Sequence, residues 1–208
     1  MTGIYGAAVL VVLGYLIGAL PFGLLVGRLV GGVDLREHGS GRIGATNALR
    51  TIGPAGAVLT FLLDLAKGVV AVLLVSWWYV AGPPGSPPWV AAAVGIAAVA
   101  GHIRSVFIGF RGGRGVATFA GAMLATAPWT VAIVVPVVLL IVWRWRFVSL
   151  GSLAGAALAP VVTAALVLID QATWAGVALA LGGAALVTVA HADNIDRLRA
   201  GTERRLGR

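Results

Sequence analysis

The apolar positions of this chain fall into long segments separated by short polar stretches. The segments cover about residues 4–33, 55–80, 89–110, 116–143, 148–169 and 173–190, and 116–143 is long enough to be divided in two. About 20 apolar residues are what a helix needs to cross a bilayer. The pattern therefore predicts an all-α protein, a polytopic transmembrane bundle of about seven helices, in one domain over residues 1–208.

The stretch 116–143 is ambiguous because it is long for one crossing and short for two. One pair of arginines precedes it and another follows it. The pairs are Arg111 with Arg114, and Arg144 with Arg146. Cytoplasmic loops are enriched in Lys and Arg, so two crossings, turning near residues 127–128, would place both pairs inside. Each crossing would be roughly 20 Å long, which predicts local thinning or a re-entrant hairpin. The N-terminus is then outside and the C-terminus cytoplasmic.

Composition strengthens the membrane interpretation. The chain is 60% hydrophobic and 11% charged, whereas a soluble domain carries about 25% charged residues. The net charge of +8 is concentrated in loops, which predicts contact with anionic lipids or phosphate substrates and no nucleic acid. Cysteine is absent, which excludes disulfides and thiolate chemistry, and three distant histidines predict no metal site. We expect an uncharged turn at residues 82–88, and a first segment that is a retained span.

Two glycine-rich tracts contain many of the polar and basic residues of the chain. The first tract, residues 38–50, reads HGSGRIGATNALR, and the second tract, residues 109–118, reads GFRGGRGVAT. Glycines allow successive backbone N–H groups to face one anion, and hydroxyl, amide and guanidinium groups complete phosphate coordination. The candidates are Ser40, Arg42, Thr46, Asn47 and Arg50 in the first tract, and Gly112, Gly113, Arg114 and Gly115 in the second. The alternative is that both tracts are ordinary cytoplasmic loops with anchoring arginines.

The tail, residues 191–208, and one apolar segment carry further candidates. His191 and Asn194 lie three residues apart, so they would share one face of a helix. The tail arginines are expected at lipid headgroups. Asp64 and Lys67 lie inside an apolar run, where ions take a functional role or form a structural pair facing the bundle. His102 is expected to support the site by hydrogen bonding.

The order of five motifs resembles the PlsY family of bacterial acyl-phosphate:glycerol-3-phosphate acyltransferases. They read GYLIGALPFG, GSGRIGATNALRTIG, LLDLAKG, FRGGRGVAT and HADNIDRLRAGTE. The resemblance implies a seven-helix enzyme of the bacterial inner membrane. Such an enzyme moves an acyl group from acyl phosphate to position 1 of glycerol 3-phosphate. The product would be lysophosphatidic acid, an intermediate of phospholipid biosynthesis, with no cofactor required.

Carried over by position, the resemblance assigns roles to the candidate residues. It implies catalytic roles for His191, Asn194 and Arg50, and substrate binding by these three together with Ser40, Thr46, Asn47, Lys67, Gly112, Gly113, Arg114 and Gly115. Departures from the family pattern are Arg42 at a usual asparagine, Arg111 and Arg114 at usual lysines, Ala19 at a common serine, and Arg104-Ser105. The alternative function is a transporter or binding protein for a phosphate ester. It predicts polar groups along a path to the outer face, where the sequence offers little beyond Asp170.

Overall fold

The computed structural model describes residues 2–81 and 88–207, which form helices joined by short connections. The helices are α1 (Thr2–Ala19), α2 (Phe22–Gly31), α3 (Ala45–Ala81), α4 (Pro88–Ile103), α5 (Val116–Thr126), α6 (Pro128–Trp145), α7 (Val148–Val167), α8 (Trp174–Ala190) and α9 (Ala192–Arg199). Single 3₁₀ turns lie at Leu35–Glu37 and Val106–Ile108. The turn predicted for residues 82–88 lies outside the described residues, except for Pro88, which begins α4.

The prediction of an all-α membrane bundle is confirmed. Five segments are long and apolar enough to cross a membrane: Tyr5–Gly31, Ala45–Trp78, Pro88–Ile108, Pro128–Trp145 and Val148–Val167. A sixth is formed if α8 and α9, bent by 62° to each other, count as one broken span, and α5 is shorter, with 11 residues. Seven passes and the sidedness of the termini stay predictions.

The turn predicted within residues 116–143 is confirmed. Helix α5 ends at Thr126 and α6 begins at Pro128, with Ala127 between them in a non-helical conformation. Proline is favoured at the first position of a helix because it has no N–H to leave unsatisfied. The result is one short and one long helix, and the polar residues that precede α5 lie at its amino end.

Proline and glycine break two of the apolar segments. Helix α1 stops before Pro21, because proline disfavours a helical conformation in the residue before it. The carbonyls left free at the break accept hydrogen bonds from other helices: Ser105 Oγ donates to Ala19 at 2.5 Å, and Lys67 Nζ donates to Leu20 at 3.0 Å. Helix α3 is kinked at Gly53, whose φ is +82°. The break and the kink both lie beside the polar tracts.

Small residues bring the helices together closely. A Cβ at Gly18 would collide with the backbone of Ala98, and one at Gly101 would collide with the carbonyl of Tyr15, so α1 and α4 are in backbone contact. Gly68 and Gly121 give the same close approach between α3 and α5. This packing is what small residues at regular helical spacing provide in membranes. It holds the carboxyl end of α4 against α1 and the amino half of α5 against α3.

The first tract is not a loop throughout. Residues 45–50 form the first turns of α3, so only residues 38–44 are irregular. The helix begins after Gly44, where Asn47 and Ala48 donate their backbone N–H groups to the Gly44 carbonyl. Thr46, Asn47 and Arg50 therefore sit on a helix, which fixes their directions more firmly than a loop would.

Candidate active site

The two tracts and the tail meet around one cavity of about 310 Å³. Eight of the predicted site residues line it: Ser40, Thr46, Asn47, Arg50, Arg114, Gly115, His191 and Asn194. They are up to about 150 positions apart in the chain. They lie in the loop before α3 and on α3, directly before α5, at the bend after α8 and on α9. Neither tract is therefore an isolated loop, and the three polar regions form one site.

Asn47 organises the first tract from inside. Its side-chain amide donates to the carbonyls of Leu35 and Arg42, each at 2.8 Å, and its Oδ1 accepts the backbone N–H of Ser40 at 3.0 Å. The side chain is buried, and these bonds leave it little capacity for a ligand. Asn47 therefore lines the cavity but acts mainly on the loop, which it folds so that Ser40 and Arg42 lie at the cavity.

The second tract does not form the expected anion nest. The N–H of Gly112 donates to the Ile103 carbonyl and that of Gly113 to the His102 carbonyl, each at 3.1 Å. These bonds satisfy the free carbonyls at the end of α4. The expectation that the amides of Gly112 and Gly113 face an anion is therefore wrong. Gly115 differs: it adopts the left-handed conformation at φ +82°, begins α5 and lines the cavity.

Arg114 extends from the second tract toward the tail. Its Nη2 donates to Asp193 Oδ2 at 2.7 Å, and Arg197 binds the same oxygen at 3.2 Å. The Nε of Arg114 is buried and has no hydrogen-bond partner among the described residues. Arg114 is thus oriented by a carboxylate while part of its guanidinium group stays available at the cavity.

His191 stands at the bend between α8 and α9, and it is buried. Its Nδ1 lies 2.8 Å from the Val187 carbonyl. A carbonyl only accepts, so Nδ1 carries the proton in the neutral ring and Nε2 is left as an acceptor. Burial, helped by the positive charge of Arg114, lowers the pKa of His191 to about 4. The ring is therefore neutral near pH 7.

The tail folds back and fixes Asn194. The carboxylate of Glu203 accepts hydrogen bonds from Asn194 Nδ2 at 2.7 Å, from Ser149 Oγ at 2.8 Å and from Arg197 Nε at 2.8 Å. Burial favours the neutral acid, but these bonds outweigh it and lower the pKa of Glu203. The Oδ1 of Asn194 is left buried without a partner in the described part of the chain.

Lys67 does not line the cavity, which corrects its place among the predicted substrate-binding residues. It pairs with Asp64 at 2.9 Å and donates to the Leu20 carbonyl at the break between α1 and α2. Asp64 also lies 3.5 Å from Nδ1 of His102, and these two residues reach the cavity wall. The buried ion pair is one of the two roles that the sequence left open, and His102 has the supporting position predicted for it.

Sequence reasoning missed several residues of the cavity wall. Arg204, which the sequence places with the tail arginines at lipid headgroups, lines the cavity. Arg42 also lines it; the sequence offers Arg42 among the possible phosphate ligands of the first tract and marks it as a departure from the family pattern. Ser149 and Ser152 also line it from α7. In the sequence these serines are isolated in an apolar segment, and their spacing of three was the only sign that they share a helix face.

An apolar groove of about 190 Å³ continues from the cavity. The two share five wall residues: Phe61, Val116, Val138, Leu139 and Ser152. From there the groove runs between α5, α6 and α7 as far as Met123, Thr130 and Ala159, all of which are buried. A cationic cavity thus opens directly into a hydrophobic groove, which fits a molecule with a charged head and a hydrocarbon chain.

Comparisons with known proteins agree on one family. Residues 8–201 match the family model described as glycerol-3-phosphate acyltransferase. A glycerol-3-phosphate acyltransferase from Syntrophomonas wolfei is 43% identical over 199 residues, covering 96% of each chain. One from a Synechococcus strain is 46% identical over 195 residues, covering 93% of this chain and 90% of the relative.

Solved structures are similar over the same length. The crystal structure of PlsY, an integral membrane glycerol 3-phosphate acyltransferase, in its glycerol 3-phosphate form has a TM-score of 0.84 and 36% identity, covering 97% of this chain and 96% of that chain. Its lysophosphatidic acid form has a TM-score of 0.83 and 35% identity, with the same coverage. The resemblance noted in the sequence is confirmed: the chain belongs to the glycerol-3-phosphate acyltransferase family.

Proposed function

We propose that this chain transfers an acyl group from an acyl phosphate to position 1 of glycerol 3-phosphate, releasing lysophosphatidic acid and inorganic phosphate. The family makes it a membrane acyltransferase of phospholipid biosynthesis and favours the enzyme over the transporter alternative. The proposal of an acyl phosphate donor and a lysophosphatidic acid product rests on one observation, the cationic cavity that opens into an apolar groove. We place the protein in the bacterial inner membrane among anionic lipids, with the cavity on the cytoplasmic side.

The cavity residues suit two phosphate groups. Arg50 and Ser40 would hold the phosphate of glycerol 3-phosphate, with Thr46 beside them, because guanidinium and hydroxyl groups make strong hydrogen bonds to phosphate oxygens. Arg114 and the N–H groups at the start of α5, beginning with Gly115, would hold the acyl phosphate. The acyl chain would then lie in the groove between α5, α6 and α7. Lys67, Gly112 and Gly113 would not touch the substrates; their hydrogen bonds would hold in place the helix ends that form the cavity wall.

The reaction needs positioning and charge stabilisation more than a protein nucleophile. The position-1 oxygen of glycerol 3-phosphate bonds to the carbonyl carbon, and the bond from that carbon to the phosphate oxygen breaks. Phosphate leaves with the electron pair, and the hydroxyl proton ends on a phosphate oxygen. Arg114 would stabilise the charge on the departing phosphate. Holding both substrates together removes much of the entropic barrier.

His191 and Asn194 would orient the glycerol backbone. Nε2 of His191 is an acceptor and would take a hydrogen bond from a hydroxyl group. Oδ1 of Asn194 is a buried acceptor and would do the same once the side chain turns toward the substrate. His191 is a weak base because its pKa is about 4. A phosphate monoester, with a second pKa of about 6, binds the proton more strongly. We therefore assign the proton to a substrate phosphate oxygen and an orienting role to His191.

The experiment that tests the donor uses the purified protein with glycerol 3-phosphate. It compares an acyl phosphate with the acyl-CoA of the same chain, and it measures lysophosphatidic acid and inorganic phosphate together. We expect equal amounts of both products from acyl phosphate and no product from acyl-CoA. Transfer from acyl-CoA without phosphate release would contradict the proposed donor, although it would leave the family assignment intact.

A further inference from the structure

Four arginines line the cavity, and the proposed function uses only two of them. The four are Arg42, Arg50, Arg114 and Arg204. Among the described residues only Arg114 has a carboxylate partner, Asp193. The acids of the cavity wall are committed elsewhere, Asp64 to Lys67 and Glu203 to Arg197. The cavity therefore carries a positive charge that the described residues do not neutralise.

The four guanidinium groups fall into two repelling pairs. Arg204 is close enough to Arg50 to repel it electrostatically, and Arg42 repels Arg114 in the same way. Glu203 attracts Arg50 and Asp193 attracts Arg114, while Arg197 repels both arginines. Like charges held together in a partly buried cavity are unfavourable unless an anion lies between them. The cavity has two such pairs of arginines, so it could bind two phosphate groups, one between the arginines of each pair.

The backbone at Arg42 and Arg204 is held at the cavity, where the side chain of Arg42 is half-buried and that of Arg204 is exposed. The Arg42 carbonyl accepts a hydrogen bond from Asn47 at 2.8 Å, which holds this residue beside α3. Arg204 follows Glu203, whose carboxylate accepts three side-chain hydrogen bonds. The tail is also paired with the α6–α7 connection, where the Leu206 N–H donates to the Arg146 carbonyl at 2.7 Å.

We propose that Arg42 and Arg204 are two further substrate-binding residues, each completing a phosphate site opposite one of the predicted arginines. Arg204 binds the phosphate of glycerol 3-phosphate together with Arg50. Arg42 binds the phosphate of the acyl donor together with Arg114. Two guanidinium groups can engage separate oxygens of one phosphate, which a single arginine does less completely. This inference rests on the proposed function, since it assigns one site to each of its substrates.

The test is steady-state kinetics of Arg204→Gln and Arg42→Gln, with each substrate varied in turn. A charge-assisted contact is worth enough to change KM by about tenfold or more. We expect Arg204→Gln to raise KM for glycerol 3-phosphate alone, and Arg42→Gln to raise KM for acyl phosphate alone. Arg204→Lys should fall between wild type and Arg204→Gln. The matched control is Arg199→Gln, which changes an exposed arginine of α9 outside the cavity wall and should alter neither KM.

Equilibrium dialysis with labelled glycerol 3-phosphate separates this inference from the choice of donor. Arg204→Gln should weaken binding about tenfold while Arg42→Gln binds as wild type does. A wild type that transfers nothing from acyl phosphate would defeat the proposed donor, and the dialysis would still decide the role of Arg204. Unchanged KM values and unchanged binding in both folded variants would overturn the inference. An equal rise of both KM values in each variant would overturn the division into two sites.

Discussion

At the residue scale, the side chains of the cavity wall are fixed by ion pairs and hydrogen bonds to one another, and a few of their polar atoms have no hydrogen-bond partner. Asp193 fixes Arg114, and Glu203 fixes Asn194, yet Arg114 Nε and Asn194 Oδ1 are buried without partners in the described chain. An unmet buried donor or acceptor costs about 1–3 kcal/mol. Both atoms belong to residues that line the cavity, so a ligand with phosphate oxygens and hydroxyl groups would relieve this cost once the two side chains turned toward it.

The glycines of the second tract predict a graded series of alanine substitutions. In Gly113→Ala the added Cβ would collide with the His102 ring at Nε2, so we expect a large loss of activity. In Gly115→Ala the new residue must adopt φ +82°, which costs about 1–2 kcal/mol, and its Cβ would lie 3.0 Å from Val99. The measurements are the acyl transfer rate and the midpoint of thermal unfolding in detergent.

Gly109→Ala is the control for backbone strain in this series. Gly109 also has a positive φ, +65°, but an added Cβ would meet nothing within 4 Å. It should lower the unfolding midpoint slightly and keep its transfer rate. If Gly113→Ala were as active as Gly109→Ala, contact between the second tract and His102 would have no part in shaping the site.

His191 predicts a loss of stability in mild acid. Its pKa is about 4 in the folded protein, below the usual 6.5, because the ring is buried. As the pH falls from 6.5 toward 4, the unfolded chain binds a proton that the folded protein does not, so folding weakens. The full effect approaches roughly 3 kcal/mol. The unfolding midpoint should fall across this window in wild type and change less in His191→Gln. Equal pH profiles would show that His191 is not the group responsible.

At the element scale, the short helix α5 makes the site possible. It begins at the cavity with Gly115, and one face lines the groove with Val116, Phe119 and Met123. Because α5 has only 11 residues, its amino end and the second tract reach the same level as the start of α3 and the end of α8. A full-length span in this position would carry Arg114 away from His191.

The groove predicts that its lining on α6 affects acyl-chain length. Between residues 130 and 139 it is about 14 Å long, which roughly ten to twelve carbons would fill. Val135→Trp would fill part of this space, so transfer from long acyl phosphates should fall several-fold more than transfer from short ones.

Val137→Trp is the matched control for the groove. Val135 and Val137 are 40% and 37% exposed on the same helix, but only Val135 lines the groove. The control should keep the chain-length profile of the wild type. Identical profiles for the two tryptophan variants would mean that the acyl chain lies elsewhere.

At the scale of the whole molecule, the uneven distribution of arginines predicts the orientation in the membrane. The chain has no cysteine, so single cysteines can be introduced without background labelling. Cysteines at Ser86 and Gln171 should react with an impermeant reagent from outside intact cells, and one at Thr202 should react only after permeabilisation. Outside labelling at position 202 would contradict the seven-pass topology and place the cavity on the opposite face.

The sequence by itself determined the class of the protein, most of its helices and which polar tracts meet at the candidate site. Apolar length, the arginine pairs and Pro128 depend only on local composition, so the bundle and the α5–α6 turn could be predicted. Two glycine-rich tracts and the tail likewise marked the residues that line the cavity.

Only the tertiary structure decided what each polar group does. Lys67 supports a helix break, Asn47 folds its own loop, and Gly112 and Gly113 use their amides to cap α4. Arg204, which the sequence placed at lipid headgroups, lines the cavity beside Arg42 of the first tract. The physical reason is that a hydrogen bond or an ion pair depends on atoms brought together from distant parts of the chain, whereas residue type and spacing describe only what each segment could offer.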